Sequence, residues 1–274
     1  MHPILFKIGS YEVHSYFVLM YLGFLASVGM AKRSAPYFRI VNAASGSSMI
    51  SGPQLSEAAW AALFCFVLGG RLGFVVQHLS EFLADPLETI RLWHGGFSLF
   101  GGSVGAALYI RRYCQRKGLA AVEFVDIAAP GIALGAAIAR LGCLLGGCCY
   151  GAPCELPWAM RFLRHDTPNI WTPPSHPTQL YEMAADLFLL GVLFVFRPFV
   201  RRQGEIGTAG LLLYALVRLI LEAFRKGVTS PILAFGLTGT QCSCLLVFPI
   251  TLGILFRLHC GGRNTLPGSL SAQR

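Results

Sequence analysis

Charge is scarce in this sequence. Only 13% of its 274 residues are Asp, Glu, Lys or Arg, and just 13 are acidic. With 54% apolar residues and a mean hydropathy of +0.59, the chain has too little polar surface for an ordinary soluble domain of its length. Also lacking are a low-complexity tract, a nucleic-acid-binding module and C-x-x-C pairs. The first apolar run, which ends at Lys32-Arg33, has no basic n-region and no small-residue cleavage site, so it reads as a retained helix and not as a signal peptide.

What is present is a series of apolar stretches of about 20 residues, each long enough to cross a bilayer core of about 30 Å. They predict an all-α, polytopic membrane protein of about seven transmembrane helices, near 13–31, 55–76, 96–110, 122–145, 179–196, 205–224 and 235–256. The net charge of +9 is gathered in short clusters between these runs, as at Arg111-Arg112 and Arg201-Arg202. Thirteen Lys and Arg fall on one side of the seven spans and six on the other. The richer side is expected to be cytoplasmic, which places the N-terminus outside and the C-terminus inside. Residues 1–274 then form a single integral membrane domain, with an external connection at about 146–178 and a short polar tail at about 258–274.

Three arginines lie inside apolar spans: Arg71 in GGRLG, Arg140 in ARLGC and Arg218 in LYALVRLILEAFR. A charge near the bilayer centre costs a few kcal/mol, so such a residue faces a cavity, a partner or a ligand. Arg218 and Glu222 are four apart on one helix face, Tyr214 extends that face by a turn, and Arg225 follows below. A guanidinium keeps its charge in an apolar setting and presents planar donors that fit a phosphate, so the stripe points to an anionic lipid head group. A structural Glu–Arg pair is the competing explanation.

Glycines crowd residues 94–108, including Gly101 and Gly102, and residues 142–151, where helix packing is the commoner explanation. HPTQLYE at 176–182 opens the fifth span, with Pro177 in a first helical turn. There His176, Gln179 and Glu182 read as an interfacial cap that needs no catalytic role. Cys143, Cys148, Cys149 and Cys154 fall within twelve residues. They admit three readings: a soft-metal site, for which the spacing is unfamiliar and no histidine is interleaved; a disulfide in an oxidising compartment; or small packing residues at a helix end.

Taken together, Tyr16 with LMYLGF after it, GGRLGFVV, ADPLETIRLWHGGFSLFGG, FVDIAAPGIALGAAIARLG, Tyr150-Gly151, HPTQLYE, YALVRLILEAFR and GLTGTQ resemble the bacterial prolipoprotein diacylglyceryl transferases, from about Tyr16 to Leu255. The resemblance implies transfer of the diacylglyceryl group of phosphatidylglycerol to the lipobox cysteine of a prolipoprotein signal peptide, in the bacterial cytoplasmic (inner) membrane. It implies no metal or organic cofactor and no nucleic-acid partner. Tyr16, Arg140, Gly151, Tyr214, Arg218 and Glu222 match positions the family uses. Arg71, Arg225, Gly101 and Gly102 complete the expected substrate-binding set. The family's usual histidine is Phe100 here, its asparagine is Cys143 and an acidic residue is Cys148. His94 or His176 is therefore expected to supply the missing base, unless arginines ionise the substrate thiol. A diverged homologue that uses another acceptor or only binds lipid, and an anionic-solute transporter, are the alternatives.

Overall fold

The structure, a computed structural model, describes residues 3–9, 11–43, 50–91, 96–163, 170–200, 202–225 and 236–260. Helices dominate: α1 Ser15–Ala43, α2 Gly52–Gln77, α3 Leu79–Ala84, α4 Leu99–Lys117, α5 Ala121–Gly146, α6 Thr178–Phe196, α7 Glu205–Glu222 and α8 Gly239–Cys260. The seven long ones overlap the seven apolar stretches, and five of them, α1, α2, α5, α6 and α8, are long and apolar enough to cross a membrane. The sequence reading missed a hairpin ahead of α1, formed by β1 Ile4–Ile8 and β2 Tyr11–His14 and turning at Gly9 with φ +61°. α1 also runs past Lys32-Arg33 and includes Pro36, and α8 extends to Cys260, into the expected polar tail. The rest of that tail lies outside the described residues.

Polarity is distributed inside out. Arg71, Asp126, Glu182, Glu205, Arg218 and Glu222 are buried, whereas Leu72, Val76, Phe188 and Val195 are exposed. Water would penalise that arrangement and hydrocarbon favours it, so the exposed apolar faces are those of a multi-pass membrane protein.

The chain divides into two compact units, residues 45–124 and residues 1–44 with 125–274. In the first, Ser51 and Gln54 cap α2 reciprocally, and α4 runs from a Ser98 cap to a left-handed Gly118. Glycines let α2 and α4 touch: a Cβ on Gly69 would lie 2.6 Å from the Gly101 carbonyl oxygen, and one on Gly102 would lie 2.9 Å from the Phe66 ring.

In the second unit, α7 begins on a cap supplied from elsewhere in the chain. Buried Asp126 of α5 accepts hydrogen bonds from the Gly204 amide at 2.5 Å and the Gly207 amide at 2.7 Å. Its carboxylate satisfies two open N–H groups at the positive end of the helix that carries Arg218. Asp126→Ala is expected to lose about 2 kcal/mol, the upper end of capping effects, because these amides have no water to turn to. Thermal unfolding in detergent checks this, and an unchanged midpoint would remove the cap from the explanation of α7.

Candidate functional site

The α7 stripe forms as its spacing requires. Tyr214, Arg218 and Glu222 follow at intervals of four, and Arg225 lies in the turn after the helix. Arg218, Glu222 and Arg225 are buried. The Arg218 Nη2 donates to Glu222 Oε2 at 2.7 Å, and its Nη1 donates to an oxygen of Glu182.

Glu182 is the centre of the cluster. It stands in the second turn of α6, nearly without solvent contact, and faces three guanidinium groups. Its Oε1 accepts from Arg218 and, at 3.1 Å, from Arg225 Nη1. Its Oε2 lies 2.6 Å from Arg140 Nε, close enough for an ion pair but off the hydrogen-bonding direction. The Arg140 side chain keeps 23% exposure, and its two Nη nitrogens have no partner among the described residues. One carboxylate therefore gathers three arginines, and one of those still offers a planar pair of donors.

Glu222 ties the cluster to α8. The Thr238 hydroxyl donates to Glu222 Oε1 at 3.0 Å and accepts from the Gln241 amide at 3.2 Å, while Gln241 Oε1 accepts from the Thr238 amide at 3.1 Å. That reciprocal arrangement is a capping box on α8 with the charged face of α7 tied to it. It supplies a physical reason for the GLTGTQ segment. Asp186, one turn beyond Glu182 and also buried, brings the acidic count to three. Charges therefore balance, and what the site offers an anion is oriented donors more than an excess of positive charge.

The connection after α5 closes over this cluster. The Gly151 amide donates to the His176 carbonyl at 2.9 Å and the Ala152 amide to the Phe224 carbonyl at 2.7 Å. A Cβ on Gly151 would lie 2.6 Å from the Phe224 carbonyl oxygen and 2.8 Å from Thr178 Cγ2. Gly151→Ala must therefore push the connection off the end of α7. The expected result is loss of at least nine-tenths of the activity with the helices intact, read by turnover alongside circular dichroism. Full activity would show that the connection can yield there.

His176 packs its ring 5.0 Å from that of Phe224 and places Nδ1 3.2 Å from the Tyr181 hydroxyl, which leaves Nε2 without a partner among the described residues. Tyr16, near the start of α1, packs against Gly142 and lines a cavity of about 260 Å³ with His14, Phe17, Gly146 and Cys148. Tyr214 is partly exposed, within electrostatic reach of Arg218 and Arg140.

Cys143, Cys148 and Cys149 bring their sulfur atoms within 4.8 Å of one another. The Cys148 thiol donates to the Cys143 carbonyl at 3.7 Å, and Arg225 and Arg140 lie within electrostatic reach of Cys149. Gln179 Nε2 donates to the Cys148 carbonyl and Thr178 Oγ1 to the Cys149 carbonyl, both at 2.6 Å.

The remaining expected site residues belong to the 45–124 unit. Arg71 directs its guanidinium at backbone, donating to the carbonyls of Thr89 and Gly96 at 3.1 Å each and to that of Glu88, with the Phe82 ring 5.2 Å away. It ties the backbone at 88–91 to that of Gly96. Gly101 and Gly102 serve the packing of α4 on α2, and Phe100 points outward with 78% exposure. His94 lies outside the described residues. Sequence reasoning gave Glu182 only the role of an interfacial cap and did not single out Thr238 or Gln241. The HPTQLYE and GLTGTQ segments were visible, and a T-x-x-Q capping pattern at 238–241 was the available signal.

The model of the family "prolipoprotein diacylglyceryl transferase" matches residues 3–257. Relatives that carry the name phosphatidylglycerol–prolipoprotein diacylglyceryl transferase include the following three. The one from Legionella pneumophila (strain Corby) is 31% identical over 230 residues, covering 82% of this chain and 84% of the relative. The Vibrio vulnificus (strain YJ016) protein is 32% identical over 257 residues, covering 92% and 88%. That of Bordetella avium (strain 197N) is 33% identical over 226 residues, covering 82% and 81%.

Proposed function

The chain belongs to the prolipoprotein diacylglyceryl transferase family and is a transferase, and from that premise we propose that it moves the diacylglyceryl group of phosphatidylglycerol onto the lipobox cysteine thiol of prolipoprotein signal peptides. The observation that carries the site assignment is Arg140, tethered at Nε to Glu182 with both Nη donors open beside Arg218.

In this reading the seven long helices all cross the bacterial cytoplasmic (inner) membrane as one domain, with the N-terminus and the 146–178 connection outside and the C-terminus inside. Phosphatidylglycerol enters from the bilayer, and its phosphate takes the Arg140 Nη donors and the field of Arg218. The acceptor thiol arrives from the outer side and gives its proton to His176. Its sulfur then forms a bond to the glycerol carbon as the carbon–oxygen bond to phosphate breaks, and glycerol phosphate leaves with the electron pair. Charge that grows on the departing oxygen meets donors already in position, which is where electrostatic catalysis has most effect. Tyr16 and Tyr214 border the path, and Gly151 keeps the connection seated. No nucleic acid takes part.

The test is replacement in cells. Expression in a bacterium depleted of its own transferase is expected to restore lipid modification of its lipoproteins. Failure to do so, with the chain in the membrane at normal abundance, would overturn the acceptor assignment and favour lipid binding without this transfer.

A further inference from the structure

We infer that Cys143, Cys148 and Cys149 form a three-thiolate site for a thiophilic divalent cation of the zinc class, with its fourth position open to the acceptor thiol. The metal site stands on its own geometry. The role of the fourth position rests on the transferase reading above.

A zinc–sulfur bond of about 2.3 Å sets ligand sulfurs about 4 Å apart. The three sulfur atoms, all within 4.8 Å, need to close by less than about 1 Å per pair. Neighbouring residues in extended or helical chain direct their side chains apart, so Cys148 and Cys149 would not ordinarily share a ligand site. Cys149 has φ +63°, the one non-glycine residue with positive φ among the described residues, and that turn brings both sulfurs to Cys143. Gln179 and Thr178 fix the carbonyls of Cys148 and Cys149, as an outer layer does around a metal site. Three thiolates around a dication carry one net negative charge, and Arg140 and Arg225 lie within electrostatic reach of Cys149.

Three protein ligands leave one tetrahedral position free, the pattern of zinc sites that do chemistry. Cys148 lines the cavity it shares with Tyr16 and His14, which gives that position access from outside α5. A thiol that binds there loses its proton on coordination, the proton passing to His176. The sulfur lone pair then forms the carbon–sulfur bond while the carbon–oxygen bond to phosphate breaks, and no oxidant or reductant is consumed.

Reduced, metal-stripped protein in detergent is titrated with Co(II). One Co(II) per chain with thiolate charge-transfer bands is expected, displaced by Zn(II). A cysteine-bearing lipobox peptide should alter the spectrum, and its serine counterpart should not. The triple variant Cys143→Ser/Cys148→Ser/Cys149→Ser should lose the bands and each single variant should bind at least tenfold more weakly, with helix content checked by circular dichroism. Cys242→Ser/Cys260→Ser, which removes two exposed thiols, should leave binding unchanged. Binding retained without the three thiols, absence of binding in the reduced parent, or a disulfide among the three in freshly isolated protein would overturn the metal site. A spectrum indifferent to the cysteine peptide would overturn the open position. Metal binding without transfer to the peptide would leave the site standing and count against the transferase reading instead.

Discussion

Arg218→Ala is expected to lower transfer by at least a hundredfold. Two effects combine. The substitution removes a donor placed where charge develops on the departing phosphate oxygen, and loss of one such donor costs about 10²–10³ in rate. It also removes the guanidinium that buried Glu222 pairs with at 2.7 Å, and leaves one oxygen of Glu182 to Arg225. Breaking a buried pair from one side costs about 3–5 kcal/mol, so folding must be followed separately. Arg218→Lys divides the two effects. It keeps a positive charge for Glu222 but cannot span both carboxylates, so near-parental stability with little activity is expected. Steady-state turnover and thermal midpoints on the same preparations check both variants. An active, stable Arg218→Ala protein would take the arginine out of the site.

Glu182→Gln should be as severe and for a different reason. Glu182 makes no expected contact with the lipid, yet it is the common partner of Arg140, Arg218 and Arg225. Neutralising it removes the carboxylate that holds three guanidinium groups together, with Glu222 left to pair with Arg218 alone. About 3–5 kcal/mol of stability should be lost, with Arg140 free to swing from its place. Any protein that remains folded is expected to show a KM for phosphatidylglycerol raised more than tenfold, because the fault lies in positioning the phosphate donors. Unchanged KM with reduced kcat would instead place Glu182 in the chemical step, and parental behaviour in both would remove it from the centre of the cluster.

The difference between these two residues shows what the sequence could and could not reveal. The positions of α1, α2, α5, α6 and α8 were legible because long apolar runs must be helices in hydrocarbon, whatever they pack against. Arg218 and Glu222 were legible because their relation is local, four residues along one helix. Glu182 was not, since its partners lie 36 and 43 residues away on α7 and the turn after it, with Arg140 on α5. Beside Pro177 it looked like a helix boundary. Arg71 was legible only in part: its buried charge demanded partners, and these include the backbone carbonyls of Glu88, Thr89, Arg91 and Gly96, which composition alone does not disclose. The hairpin before α1 escaped because its short alternating strands were overshadowed by the apolar run that follows. The cysteine trio depends on the left-handed backbone at Cys149, which spacing does not disclose.

The most direct measurement is chemical. Purified protein in phosphatidylglycerol bilayers is incubated with a lipobox peptide, and the products are read by mass spectrometry. A thioether-linked diacylglyceryl peptide with an equal amount of glycerol phosphate is expected from the parent, and at most one-hundredth as much from Arg218→Ala. No diacylglyceryl peptide from the folded parent, while a transferase of known activity works in the same bilayers, would contradict the assignment.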